Sequence, residues 1–198
     1  MTVQNQAYCL ALASVGKDVV IHPVAKIVSP EVVHIGDSVI IDDFVFIMGG
    51  KKVVIGSFVH IGCFSSIAGG GELIMEDFSG LSGGVRIYTG SEDFSGACLT
   101  NAAVPYPYRK PIRSFVHLKK HAVIGANTTI MPGVTIGEGA VIGANSFVIR
   151  NCKPWTVYMG SPVKRLWERP KERILELETQ LRRELYDSNG HYIPRLKE

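Results

Sequence analysis

The stretch IGANTTIMPGVTIGEGAVIGANSFV, residues 124–148, sets a branched aliphatic side chain at every sixth position: Ile124, Ile130, Ile136, Ile142 and Val148. Leu118 and Ile112 extend the series backward at the same spacing. The first half of the chain carries a related ruler, Ile27, Ile35, Ile41, Ile47, Ile55, Ile61, Ile67, Met75, Leu81 and Ile87, in repeating steps of eight, six and six. A helix would space its apolar positions by three and four and a half-buried strand by two, so neither period fits. A chain that buries one aliphatic residue in six, and repeats its full pattern every 18 or 20 residues, folds as a triangular coil with one short strand per side. Gly or Asp often follows the aliphatic (Gly36, Asp42, Gly56, Gly62, Gly125, Gly137, Gly143), as expected where the backbone bends at a corner. Small or β-branched residues four positions on (Val39, Val45, Val59, Ser65, Thr128, Val134, Ala140) suit the inside of a narrow prism.

Composition agrees with one folded unit. Of 198 residues, 46% are hydrophobic and 20% charged, ordinary for a globular protein, and the 21 glycines sit at repeat corners rather than in a linker. A net charge of +3 is too balanced to argue for nucleic acid. No run approaches the roughly 18 apolar residues of a membrane span, and the apolar residues 10–15 lack a preceding positive segment, so the chain reads as cytoplasmic. Cys9, Cys63, Cys98 and Cys152 are scattered without metal-ligand spacing and read as free thiols.

The ruler divides the chain. Residues 1–20 form an N-terminal segment, 21–153 the solenoid, and 154–198 a C-terminal extension with a helix over about 170–186. Pro170 suits a first helical turn, and Ile174, Leu177, Leu181 and Leu185 share one face that needs a surface, either the prism or a neighbouring subunit. The solenoid is interrupted once, by TGSEDFSGACLTNAAVPYPYRKP at 89–111, and so long a loop in a compact domain usually carries function.

The hexads beginning at Ile124, Ile130, Ile136 and Ile142, with the ending Pro154-Trp155 and Gly160-Ser161-Pro162-Val163-Lys164, resemble those of the hexapeptide-repeat acyltransferases. The resemblance runs from Ile21 to Arg169. It implies an all-β left-handed parallel β-helix with the inserted loop and a C-terminal α-helix, a homotrimer, and acetyl-CoA as co-substrate in the groove between neighbouring prisms. Carried onto matching positions, it implies that Gly125, Ala126, Gly143 and Ala144 admit the pantetheine arm and that Lys164 and Arg165 meet the CoA phosphates.

Many relatives that acetylate hydroxyl groups have a catalytic His where this chain has Glu92. An alcohol gains much from an imidazole base with a pKa near 6.5, whereas an amine needs less help and a carboxylate near 4.3 is the weaker base. The departure points to N-acylation of an amino group, with Glu92 or Asp93 holding the ammonium and accepting its proton. The loop residues SEDFSG and LTN…VP…Y resemble those of superfamily members that N-acetylate nucleotide-linked amino sugars, and the resemblance implies such a sugar of surface polysaccharide biosynthesis as substrate. Tyr106, Tyr108 and Arg109, with Lys110 beside them, supply aromatic faces and cations for a base and a diphosphate. His117 or His121 is an alternative base; His22, His34, His60 and His191 lie outside the matching segment and are not assigned to the site, although His60, just before Ile61, is placed to border an intersubunit cleft. O-acetylation of a sugar, polysaccharide or xenobiotic is the competing function. A metal-dependent or non-catalytic solenoid is more remote, since His117 and His121 lie four rather than five residues apart and no metal is expected.

Overall fold

The structure is a computed structural model and describes residues 11–194. Short strands coil into a three-faced parallel solenoid. The first face stacks Ser14–Val15, Val33–Ile35, Lys52–Ile55, Glu72–Met75, Phe115–Leu118 and Val134–Ile136 in chain order. The second stacks Val20–Ile21, Ile40–Ile41, His60–Ile61, Gly80–Leu81, Val123–Ile124, Val141–Ile142 and Thr156–Met159, and is closed by antiparallel Lys164–Glu168. The third carries Lys26–Val28, Phe46–Met48, Ser66–Ala68, Arg86–Tyr88, Thr129–Ile130 and Phe147–Val148.

Register follows the ruler. Ile41 pairs with Ile61, Ile61 with Leu81, Leu81 with Ile124 and Ile124 with Ile142, each at most 2% exposed, so identical rows of side chains fill the prism. Each such side chain contributes about 1.5–3 kcal/mol relative to exposure. The eight-residue steps lie at the corner from the third face to the first, where Pro30–Val32 forms a 3-10 turn and Gly49 and Gly69 stack on neighbouring coils.

Several details depart from the sequence reading. The coil begins earlier than residue 21, because Ser14–Val15 pairs with Val33–Ile35, and its second face continues past residue 153 through Thr156–Met159. Ile112 is not on the ruler: it is 54% exposed and pairs antiparallel with Ser91 in the stem of the inserted loop, and the coil resumes at Phe115–Leu118 with Val116 and Leu118 buried. The bend falls on the third residue after the aliphatic, not the first. Ser38, Phe44, Phe58, Phe64, Phe78, His121, Asn127 and Asn145 all have φ between 53° and 62°. The glycine after the aliphatic answers a different demand, close approach of coils: a Cβ on Gly125 would sit 2.5 Å from the Ala144 amide nitrogen.

Phenylalanine is an expensive choice for a left-handed backbone, and stacking offsets part of that cost. Phe58 and Phe78 stack at 4.8 Å and Phe78 and His121 at 5.1 Å along the corner between the first and second faces. The C-terminal helix, α1 (Glu172–Leu185), docks against this row on its own prism. Its buried residues are Glu178 and Leu185, while Leu177 is 46% exposed, so charge rather than the expected aliphatic stripe centres the contact. Glu178 pairs with Lys120, with His121 Nε2 at 2.8 Å and with Arg182, which also meets Asp77 at 2.7 Å. Burial alone would raise the Glu178 carboxyl, but the donors from Lys120, Arg182 and His121 overcome it and hold it at about 2.

Among the described residues, Cys63, Cys98 and Cys152 are free thiols, and burial pushes the Cys152 thiol up to about 11; Cys9 lies outside them. No described helix is long and apolar enough to cross a membrane.

Candidate active site

The inserted loop leaves the third face after Tyr88 and returns to the first face before Phe115. Gly90–Ser91 and Ile112–Arg113 form its antiparallel stem, and Thr89, 3% exposed, fastens the stem by donating from Oγ1 to the Ala68 carbonyl and accepting from the Gly71 amide.

Inside the loop, the two carboxylates expected to act as bases are already engaged. Glu92 Oε1 accepts from an Arg109 guanidinium nitrogen at 3.0 Å, and the side chains are only 22% and 12% exposed. Glu92 Oε2 and Arg109 Nε are enclosed without a hydrogen-bond partner among the described residues. Arg109 also lies over the Tyr106 ring at 4.8 Å. The pair therefore works as a clasp between the two limbs of the loop, which withdraws Arg109 from an open diphosphate and does not single out Glu92 as a base. Asp93 accepts from the Ser95 amide and hydroxyl, both at 2.9 Å, and these with the Cys98 thiol hold its carboxyl below the usual carboxylate range. Tyr106 and Tyr108 project, 65% and 63% exposed.

The residues expected to meet the co-substrate gather on a different edge, between the second and third faces. Strand register sets Gly62, Ser82, Gly125, Gly143 and Met159 in successive rows, and Met159 pairs with Lys164. Ala126 and Ala144 follow Gly125 and Gly143 at the turn and keep the edge low. With strands about 4.8 Å apart, Ser82 to Lys164 spans roughly 19 Å, the order of an extended pantetheine arm. Lys164 is exposed with no ion pair among the described residues, and Arg165 pairs with Glu168 at 2.9 Å, both in the open. At the far end of this edge lies a hollow of about 340 Å³ lined by Asp42, His60, Cys63, Ser82 and Gly83 among others.

His60 Nε2 lies 3.0 Å from Asp42 Oδ2, which also accepts from the Cys63 amide at 3.2 Å. Sequence reading named His60 without a partner. The signal was present, because a 20-residue coil sets Ile40 beneath His60 and so brings Asp42, two residues on, diagonally below it. His117 and His121, the alternative bases, are committed elsewhere. His117 Nε2 meets Glu76 at 2.8 Å, and His121, 6% exposed, is sealed against Glu178 beneath α1. No group of three metal-ligating side chains occurs among the described residues.

A solenoid of hexads with a low, small-residue edge, a basic end and one long loop defines the hexapeptide class of transferases. The model of the bacterial transferase hexapeptide family (six repeats) matches residues 115–150. The dTDP-4-amino-4,6-dideoxy-D-glucose acyltransferase of Escherichia coli is 36% identical over 171 residues, 86% of this chain and 88% of that protein. AntD, an N-acyltransferase from Bacillus cereus solved with dTDP and 3-hydroxybutyryl-CoA, superposes with a TM-score of 0.85 at 38% identity, covering 91% of this chain and 95% of its own. A substituted AntD holding dTDP-4-amino-4,6-dideoxyglucose and coenzyme A superposes equally well, at 37% identity over 91% and 96% of the two chains. The chain belongs to the hexapeptide-repeat, left-handed β-helix acyltransferases.

Proposed function

We propose that the protein transfers a short acyl group, acetyl being the simplest, from acyl-CoA to the amino group of a nucleotide-linked amino sugar used in surface polysaccharide biosynthesis. The carrying observation is the edge from Ser82 to Lys164: a strip of Gly and Ala as long as a pantetheine arm, ending in an exposed cation. Small side chains let backbone N–H and C=O groups approach the thioester arm closely, and Lys164 meets its phosphates. The kinship with the Escherichia coli and AntD enzymes supports both the acyl donor and the nucleotide amino sugar.

The loop and this edge occupy different corners of one prism, so the working site forms between copies, with the loop of one subunit over the edge of the next. Exposed Ile40 (43%), Phe44 (55%), Phe64 (62%), Val123 (37%) and Ile149 (44%) on and beside the second and third faces supply the surface for a homotrimer. Tyr106 and Tyr108 offer ring faces to the nucleobase and Lys110 a charge to its diphosphate, while the Glu92–Arg109 clasp and the Asp93 turn keep the loop in shape. In the transfer step the amine nitrogen attacks the thioester carbonyl, the C–N bond forms, and the C–S bond breaks to release CoA.

A crystal structure with CoA and dTDP tests the arrangement. CoA should lie along the edge from Ser82 to Lys164, with dTDP under the loop of a neighbouring subunit. CoA bound elsewhere, or dTDP held within one prism, would overturn it.

A further inference from the structure

The proposed reaction starts from an ammonium, which must lose a proton before its nitrogen can attack. Glu92 is clasped by Arg109, Asp93 is held by Ser95, and His121 is sealed under α1. The hollow at the thioester end of the edge contains another candidate. His60 side-chain atoms are 56% exposed, its Nε2 is directed at Asp42 Oδ2, and it lines the same hollow as Ser82, the residue that heads the pantetheine strip. Asp42 is itself oriented by the Cys63 amide and is 29% exposed. The contact assigns the proton to Nε2 and leaves the Nδ1 lone pair free to accept another, while the carboxylate stabilises the imidazolium that results. The titratable groups lining this hollow are Asp42, His60 and Cys63; the neighbouring His22–Asp43 contact is longer, at 3.8 Å.

We propose that His60, positioned by Asp42, is the general base that takes the proton from the acceptor ammonium. This rests on the reading of the protein as an N-acyltransferase. His60 Nδ1 removes one proton from the ammonium, and the amine then adds to the thioester carbonyl. As the C–S bond breaks, the departing sulfur receives the second nitrogen-bound proton and leaves as CoA thiol. The imidazolium returns its own proton to water, so each turnover yields one amide, one thiol and one proton. His60 touches the acceptor and is a catalytic residue; Asp42 acts through it and is a positioning residue.

The test is steady-state kinetics of the full-length protein with acetyl-CoA and dTDP-4-amino-4,6-dideoxyglucose across pH 5.5–9. His60→Gln should lower kcat about 100-fold, the low end of general-base effects, with both KM values within threefold of the parent. The acidic limb of the parent profile should disappear in this variant. Asp42→Asn should lower kcat less than His60→Gln does and retain the limb, since the imidazole is still present but loses the partner that orients it. Added imidazole should recover part of the activity of His60→Gly, which a merely structural role would not allow. His60→Gln turning over within threefold of the parent, or losing activity with its acidic limb intact, overturns the assignment. A parent enzyme that makes no N-acyl product overturns the functional reading, and this inference with it.

Discussion

Replacing Glu178 by Gln tests how the helix is held to the solenoid. In the folded protein the carboxyl is displaced from its ordinary 4.5 to about 2. At 1.36 kcal/mol per pH decade, that displacement corresponds to about 3 kcal/mol of stability, an upper bound because the pairs couple. The folded-state pKa is depressed, so this stability is present above pH 4.5 and is lost as pH falls toward 2. The carboxamide leaves Lys120 and His121 without their anion, although Arg182 keeps Asp77 at 2.7 Å. Glu178→Gln should therefore lower the melting temperature at pH 7 by roughly 6–12 °C, scaling 2–4 °C per kcal/mol for a chain of this size. Hydrogen exchange should place the change in residues 172–185, and the variant should lose less stability than the parent between pH 5 and pH 3. An unchanged melting temperature at pH 7, or the same loss with acid in both proteins, would refute the charge-centred docking.

Three further outcomes follow from the site. Lys164→Ala should raise the KM for acyl-CoA about fivefold, as expected for an exposed charge pair of about 1 kcal/mol, and leave the KM for the sugar nucleotide unchanged; equal effects on both would remove the phosphate role. Glu92→Gln should strand the buried Arg109, raise the KM for the sugar nucleotide several-fold and keep kcat within tenfold, whereas a 100-fold fall in kcat with the loop intact would return Glu92 to the role of base. Gly125→Ala should cost about 1–3 kcal/mol because its Cβ meets backbone at 2.5 Å, while Gly143→Ala meets the flexible Met159 side chain and should raise the KM for acyl-CoA with little loss of stability.

The solenoid was legible because an inward aliphatic every sixth position has no other economical burial, and the rows of Ile and Val lie where the spacing put them. Ile112 deceived because the stem of the loop has a length that keeps the count in phase while the chain reverses direction. The helix range was legible from Pro170 and the leucines, but its docking was not: the spacing shows where Glu178 sits on the helix, not that Lys120 and His121 wait on a solenoid corner. The edge proposed for the co-substrate rests on family resemblance and small-residue spacing, and strand register lines those residues up. Glu92 stood out by identity alone, and its partner Arg109 lies 17 residues away across a loop with no period to reveal the contact. His60 and Asp42 lay within the repeat, one coil less two residues apart, but both sit on the solvent side of the buried rows that make the ruler visible.

The prism moves an acyl group from a thioester onto an amine. Mass spectrometry and NMR of the product formed from acetyl-CoA and dTDP-4-amino-4,6-dideoxyglucose, run beside the matching hydroxy sugar nucleotide, test it most directly. One amide-linked acetyl group on the amino sugar, equimolar CoA thiol, and no product from the hydroxy sugar are expected. An ester on the hydroxy sugar, with the amine left unmodified, would contradict it.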